Sequence, residues 1–319
     1  MLEHLTTLSS PKTKSIHWIA LLVLLLPLVA PFAIDGHSYR SFGTQWLGWA
    51  GELVHSYQME KDATPLWFYA AFANYGAPIP IFTNNIVYQS IRLLNTAGLS
   101  LLTSLELLYV ITIIFSAILF FIFLRQIVEP EPAVIGALMY VYMPRFIHTV
   151  YIIGSIAEVL TFMAMAGVAS SLVKFYRTNN TFYLFGLSAF VAVAVLSHKM
   201  IAFWMFLIMI ATIIPYHRLR GAPYCVGLKV TLFTLLGILL TSFNTLPFLY
   251  ESHNVGAGGF LGLNVVDSSW RPTPPIYLIP TMISTVFTDI YVYAKEPGAL
   301  VHISPYNILM FFFAFGLWL

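Results

Sequence analysis

The chain has 319 residues, of which 59% are apolar and only 9% charged, with a mean hydropathy of +0.82. A soluble domain carries roughly a quarter charged residues and has no interior large enough to bury such a surplus of apolar side chains. A formal net charge of +2 gives no reason to expect a nucleic-acid partner, and Cys225, the one cysteine, excludes disulfide frameworks, thiolate zinc sites and C-x-x-C redox pairs together.

What remains is an all-α integral membrane protein. Apolar runs near the length needed to cross about 30 Å of hydrocarbon, at about 1.5 Å per residue, recur along the chain. In lipid such runs must be helical, because a helix satisfies its own backbone donors and acceptors. The first run, 16–34, follows a short arm carrying Lys12 and Lys14. It reads as a signal anchor, being longer than a cleaved h-region and having Pro31 where a cleavage site would want a small residue.

A long segment, 35–104, comes next. It is rich in aromatic residues, including Tyr39, Trp46, Trp49, Tyr57 and Trp67, and 47–57 has one apolar face. Helices lying at a membrane interface are expected there, where Trp and Tyr are favoured. Further spans are predicted at 105–127, 133–150, 156–173, 182–196, 200–215 and 225–246. A second long segment, 251–304, carries Glu251-Ser-His-Asn-Val-Gly-Ala-Gly-Gly and Arg271-Pro-Thr-Pro-Pro, and an apolar run from Tyr306 reads as a last span cut short, as in a longer parent. The expectation is a single polytopic bundle over 1–319 of about eight transmembrane helices with outer interfacial helices. The sequence has neither a repeat of solenoid period nor a matched pair of broken helices.

Loop charge sets the orientation. Lys12, Lys14, Arg125, Lys174, Arg177, Arg218 and Arg220 share one side if the spans alternate. That side is cytoplasmic by the positive-inside rule, which puts the N-terminus inside and both long segments outside.

Ionisable residues collect toward the outer side: Asp35, His37 and Arg40 after the first span, Arg145, His148 and Glu158 around the turn between the third and fourth, His198 and Lys199 after the fifth, and Glu251 and His253 after the seventh. Such groups are costly in a membrane and mark function or pair with one another. Each also has a bland reading. Asp35 is a good helix N-cap, Glu158 suits the positive end of a helix dipole, Arg145 and Lys199 can snorkel to headgroups, and three histidines without tight spacing are a weak metal signal. Their convergence on one side carries the functional reading.

Asp35-Gly-His37 after the first span, Tyr151-x-x-Gly154-Ser-x-Ala157-Glu158 entering the fourth, and Leu196-Ser-His198 ending the fifth together resemble the bacterial "6-pyruvoyl-tetrahydropterin synthase-related" polytopic membrane proteins. These are similar to GT-C glycosyltransferases, and the family name implies no pterin chemistry. The family often has Arg before the Gly of the Tyr-x-x-Gly element, where this chain has Ile153. The resemblance implies transfer of a sugar from a polyprenyl-phosphate carrier to an acceptor on the outer side of the cytoplasmic membrane, with membrane lipids as surroundings. It implies Asp35 as general base and Glu158 as a second carboxylate. It also implies Arg145, Lys199, Arg40 and Arg271 as phosphate ligands, with His37, His148, His198 and Glu251 around them. A divalent ion, Mg or Mn, is an implied option on Asp35 and His37. Two rival readings remain, a transporter or lipid flippase and a non-catalytic envelope scaffold.

The orientation is directly testable. In a Cys225→Ser background, cysteine placed at Ser56 should react with an impermeant thiol reagent in intact cells and cysteine at Asn179 should not. The reverse labelling would put the proposed site in the cytoplasm.

Overall fold

The structure is a computed structural model that describes residues 15–33, 48, 50–55, 85–199, 201–203, 205–207, 209–210 and 224–251. Among them every regular element is helical. In chain order these are α1 (Ser15–Val29, extended by a 3-10 turn over Ala30–Ala33), α2 (Asn85–Thr96), α3 (Leu101–Leu124), α4 (Pro130–Tyr142), α5 (Pro144–His148, followed by a π turn over Thr149–Ile153), α6 (Ile156–Thr178), α7 (Phe182–Ser197), α8 (Tyr224–Leu239) and α9 (Ser242–Glu251).

Three helical segments are long and apolar enough to cross a bilayer, Ser15–Ala33, Leu101–Leu124 and Ile156–Thr178. Counting each of two bent pairs as one span raises the number to five among the described residues. The expectation of unbroken spans at 133–150 and 225–246 is corrected here. Pro130–Tyr142 meets Pro144–Ile153 at 41°, and Cys225–Leu239 meets Ser242–Tyr250 at 71°. The first bend has a local cause. Met143 is extended (φ −61°, ψ 144°) and Pro144, with no N–H to give, opens the next helix. At the second, the N–H and the hydroxyl of Thr241 both donate to the Ile238 carbonyl, at 3.0 and 2.7 Å, so the chain turns tightly at the break. The predicted span at 182–196 is the apolar helix α7, only 16 residues long. Residues of the predicted span at 200–215 are helical where described, and the run from Tyr306 lies outside the described residues. Within the first long segment, 50–55 are helical with Ala50 and Leu53 buried, as the apolar face of 47–57 predicts.

α6 is the central helix. Seventeen of its 23 residues are buried, because α3 packs along one side and α7 along another. Small residues permit this. A side chain at Gly167 would strike the Phe190 ring, and Ser171 faces Gly186 across the same seam. Buried hydroxyls here return to their own helices, Thr112 to the Leu108 carbonyl, Ser116 to Thr112 and Thr161 to Ala157, so they add no unmet polar group to the apolar interface.

The register of the packing pairs fixes the helix directions. Trp18 meets Phe121 while Phe32 stacks on Tyr109, so α1 and α3 are antiparallel. Tyr140 stacks on Phe120 and donates to the Phe162 carbonyl, and Lys174 lies over Tyr183 while Gly167 lies under Phe190. The helices therefore alternate in direction from α1 through α3, α4, α6 and α7. Two tyrosines fasten α1, Tyr142 to the Leu24 carbonyl at 2.7 Å and Tyr151 to the Leu28 carbonyl, on either side of the helical Pro27. Large apolar side chains stay exposed on the outside of the bundle, among them Leu22, Leu26, Phe115, Ile135, Met139 and the stripe Leu228, Leu232, Leu235 and Leu239 on α8. An apolar outer surface of that extent is one that faces lipid.

α7 and α8 also approach closely, here with a backbone carbonyl against the glycine. A Cβ at Gly237 would fall 2.6 Å from the Ser188 carbonyl oxygen, and the Ser188 hydroxyl donates to the Phe233 carbonyl at 2.6 Å. Gly237→Ala should cost about 1–3 kcal/mol through helix separation, more than the ~1 kcal/mol that Ala gains in helix propensity, and Gly237→Val should cost more. Thermal unfolding in detergent measures both; unchanged midpoints would show that α8 does not sit against Ser188.

Candidate functional site

The alternating helices bring one set of ends together: Ala33 after α1, the start of α3, the α5–α6 turn, the end of α7, and α9. The opposite end holds His17 against Glu131 at 3.1 Å, with Arg125, Lys174 and Arg177.

The α5–α6 turn is built by backbone rules. The π turn ends at Gly154 in the left-handed region (φ 70°), a conformation that favours glycine, and the N–H groups of Gly154 and Ser155 both donate to the Thr149 carbonyl, at 3.0 and 3.1 Å. The chain then reverses into α6. Arg145 stands before the reversal and Glu158 in the first turn after it. The Arg145 Nη2 donates to Glu158 Oε2 at 2.8 Å, with both side chains under 10% exposed. Arg145 does not snorkel away from the bundle; it turns inward. Glu158 keeps its expected place near the positive end of α6, but its carboxylate goes to Arg145 rather than back to cap the helix. Among the described residues this is the one hydrogen bond of the guanidinium, which leaves its Nε and Nη1 hydrogens for another acceptor.

His198 joins this pair. It ends α7 with its N–H donating to the Ala194 carbonyl, and its Nδ1 lies 3.4 Å from the Ile201 N–H. It is within electrostatic reach of Glu158, Arg145 and Lys199. Burial holds the imidazole below its usual range, against a smaller opposing pull from Glu158. Burial also brings the Lys199 ammonium down to about 8, and its Nζ lies 5.1 Å from the centre of the Phe248 ring on α9. His148 is on the helix that bears Arg145, with its Nε2 buried.

Tyr109 was not among the residues singled out from the sequence. It is 1% exposed on α3, close enough to the Ile156 backbone and the Glu158 carboxylate to interact with both, and Phe32 stacks on it at 5.0 Å and on Tyr151 at 5.8 Å. Phe32 thus holds the end of α1 against the site, three residues before Asp35. The signal available in the sequence was Glu106-Leu-Leu-Tyr109, two polar groups at i and i+3 in the first turns of an otherwise apolar span. Among the described residues the buried hydroxyls of Tyr109, Thr149 and Ser197 have no hydrogen-bond partner. Each unmet group costs about 1–3 kcal/mol, so their presence at the end of the bundle that holds the ion pair calls for a ligand or water.

Of the other predicted residues, Asp35, His37, Arg40 and Arg271 lie outside the described residues, and Glu251 closes α9 with its side chain outside the description. Among the described residues no three His, Cys, Asp or Glu side chains converge as a metal site. No family model, curated protein or solved structure matches the chain.

The ion pair makes a stability prediction. Glu158→Gln leaves a guanidinium buried without its counter-charge and should cost about 3–5 kcal/mol, whereas Arg145→Met with Glu158→Leu should recover most of that loss. Unfolding midpoints of the single and double variants in one detergent decide it; a silent single substitution would mean that the pair is hydrated.

Proposed function

We propose that this chain is a GT-C-like membrane glycosyltransferase on a bundle of about eight spans. It transfers a sugar from a polyprenyl-phosphate donor to an acceptor hydroxyl at the outer face of the bacterial cytoplasmic membrane. The observation that carries the reading is the buried Arg145–Glu158 pair, at the bundle end that also holds Tyr109, His198 and Lys199. An ionisable cluster sunk in a membrane bundle is expensive and is kept for function, and this one is rich in the donors that a departing phosphate needs.

In this reaction the acceptor oxygen attacks the anomeric carbon and the bond from that carbon to the phosphate oxygen breaks. The electron pair leaves on the phosphate, through an oxocarbenium-like state. Arg145, oriented by Glu158, is the phosphate ligand best suited to a two-point contact, and Lys199 adds a second cation. Arg40 and Arg271 are further candidates. Asp35 takes the acceptor proton. A divalent ion on Asp35 and His37 would supply Lewis-acid stabilisation of the phosphate; the steps assigned here to Asp35, Arg145 and Lys199 do not depend on it.

One observation favours a second reading. Two bent helix pairs are a feature of transporters, which place substrate sites at broken helices near the bilayer midplane. Here the charged groups gather instead at the bundle end, which favours chemistry on a substrate presented at the surface.

Transfer from polyprenyl-phosphate sugars by the unsubstituted chain separates the two readings, since a transporter would show none, and Asp35→Asn then tests the base. It keeps shape and polarity but removes the base, so transfer from polyprenyl-phosphate sugars in nanodiscs should fall by at least about 100-fold with folded yield unchanged. Asn caps a helix about as well as Asp. Full transfer in the variant would therefore assign Asp35 to a cap and remove it as the base.

A further inference from the structure

The end of the bundle opposite Arg145 also gathers charge, here mostly of one sign. Phe123 packs with Ala169 and Val173, which sets the last turns of α3 and α6 side by side. Arg125 ends α3 at 8% exposed, and its Nη1 donates to the Val128 carbonyl. Arg177, in the last turn of α6, is exposed and lies within electrostatic reach of Arg125. Lys174, three residues earlier on the same face of α6, places its Nζ 5.4 Å from the centre of the Tyr183 ring on α7. Any one of these cations suits the negative end of a helix dipole. Two guanidiniums brought together from separate helices repel each other, and the dipoles alone do not call for that meeting.

The carboxylates described at this end belong to α4 and its cap: Glu131 faces His17 of α1, and Glu129 is exposed just before the helix. Neither Lys174 nor Arg177 makes an ion pair among the described residues. The arm before α1 and the stretch 211–223 lie outside the described residues; by sequence they hold one carboxylate, Glu3, against Lys12, Lys14, Arg218 and Arg220. Tyr176, Tyr183 and the exposed Phe182 ring mark the level of the headgroups, where amphipathic aromatic residues are favoured. At that depth the anions at hand are the phosphates of the bilayer.

We propose that the ends of α3 and α6 form a binding site for the phosphodiester of one acidic phospholipid in the cytoplasmic leaflet, held by Arg177 and Lys174 with Arg125 behind them. The planar Arg177 fork matches the two free oxygens of a phosphodiester, and Lys174 adds a point charge. An acidic headgroup is favoured over a zwitterionic one, whose own ammonium would be carried to a basic cluster. The site lies away from Arg145 and stands whether or not the chain transfers sugars.

The test uses the full chain in detergent micelles with dioctanoyl phosphatidylglycerol, dioctanoyl phosphatidylcholine and inorganic phosphate, read by native mass spectrometry and by thermal shift. Phosphatidylglycerol should bind at least about tenfold more tightly than either of the others. Arg177→Gln should weaken it by roughly tenfold, the worth of a hydrogen bond between charged groups. The same variant should leave the unliganded unfolding midpoint unchanged or higher, because it removes a like charge facing Arg125. Lys229→Gln is the control. Phe233 meets Phe185 and Gly237 meets Val191, so α8 runs parallel to α7 and the exposed Lys229 lies toward the same end of the bundle. Its loss should change binding by less than about twofold, whereas a diffuse surface attraction would cost both variants alike, roughly fivefold each.

Equal binding of phosphatidylcholine would show that headgroup charge is not read and would overturn the site. A shift with inorganic phosphate as large as that with phosphatidylglycerol would assign the cluster to a free anion. Equal losses in Arg177→Gln and Lys229→Gln would reduce it to the general attraction of a basic face. A lower unliganded midpoint for Arg177→Gln would show that the guanidinium already holds an acceptor within the chain and overturn its role.

Discussion

A helix surrounded by other helices can only be approached closely if its own side chains are small, and α6 meets that condition. Ala157, Ala164, Gly167, Ala169, Ser170 and Ser171 are all buried along it, so α3 and α7 settle near its backbone and dispersion contacts replace the hydrophobic drive that lipid does not supply. The remaining geometry follows from this seam. With α3 running parallel to α6 and α7 running antiparallel, the start of α3, the start of α6 and the end of α7 have to fall at the same end of the bundle. Tyr109, Glu158 and His198 sit at those three positions.

The α5–α6 turn adds the fourth contributor. Pro144 ends one helix and starts the next, and Gly154 reverses the chain within a few residues. A guanidinium on one limb is thereby brought to a carboxylate on the other, thirteen residues apart in sequence and 2.8 Å apart in space. Neither charge is stable there alone. The pair is therefore a constraint on the turn as much as a product of it, since a looser reversal would leave both groups buried and unmet. Ile153, at the position before Gly154, is a partly exposed member of the π turn.

Much of this was legible in the sequence because membrane helices are written in long apolar runs. The positions of α1, α3, α6 and α7 follow from run length, and the alternation from α3 onward follows from short loops. The gathering of Arg145, Glu158, His198 and Lys199 then needs nothing beyond that alternation. The bends at Met143 and Thr241 were not legible, because hydropathy continues across them; only Pro144 marked the first, and it lies inside an apolar window. Tyr109 escaped for a related reason. A tyrosine in an apolar span reads as packing, and only the tertiary register, with Phe32 on its ring and the first turn of α6 beside it, distinguishes a phenol with an unmet hydroxyl from an ordinary core aromatic such as Tyr140, whose hydroxyl is satisfied by Phe162.

That contrast between Tyr140 and Tyr109 bears on where chemistry can occur in this bundle. Away from the Arg145 end, buried polar groups are closed on themselves: Thr112, Ser116 and Thr161 bond within their helices, and Ser188 reaches α8. At the Arg145 end the balance is not closed, since the buried hydroxyls of Tyr109, Thr149 and Ser197 have no hydrogen-bond partner among the described residues. A low-dielectric interior penalises such an imbalance, so it survives only if something with acceptors completes it. A neutral acceptor would satisfy Tyr109 and His198 but would leave the unused side of a buried guanidinium facing no charge beyond the Glu158 carboxylate it already holds. An anion would meet all three at once, and that is the electrostatic reason for proposing this end of the bundle, rather than its apolar middle, as the place for the substrate's phosphate.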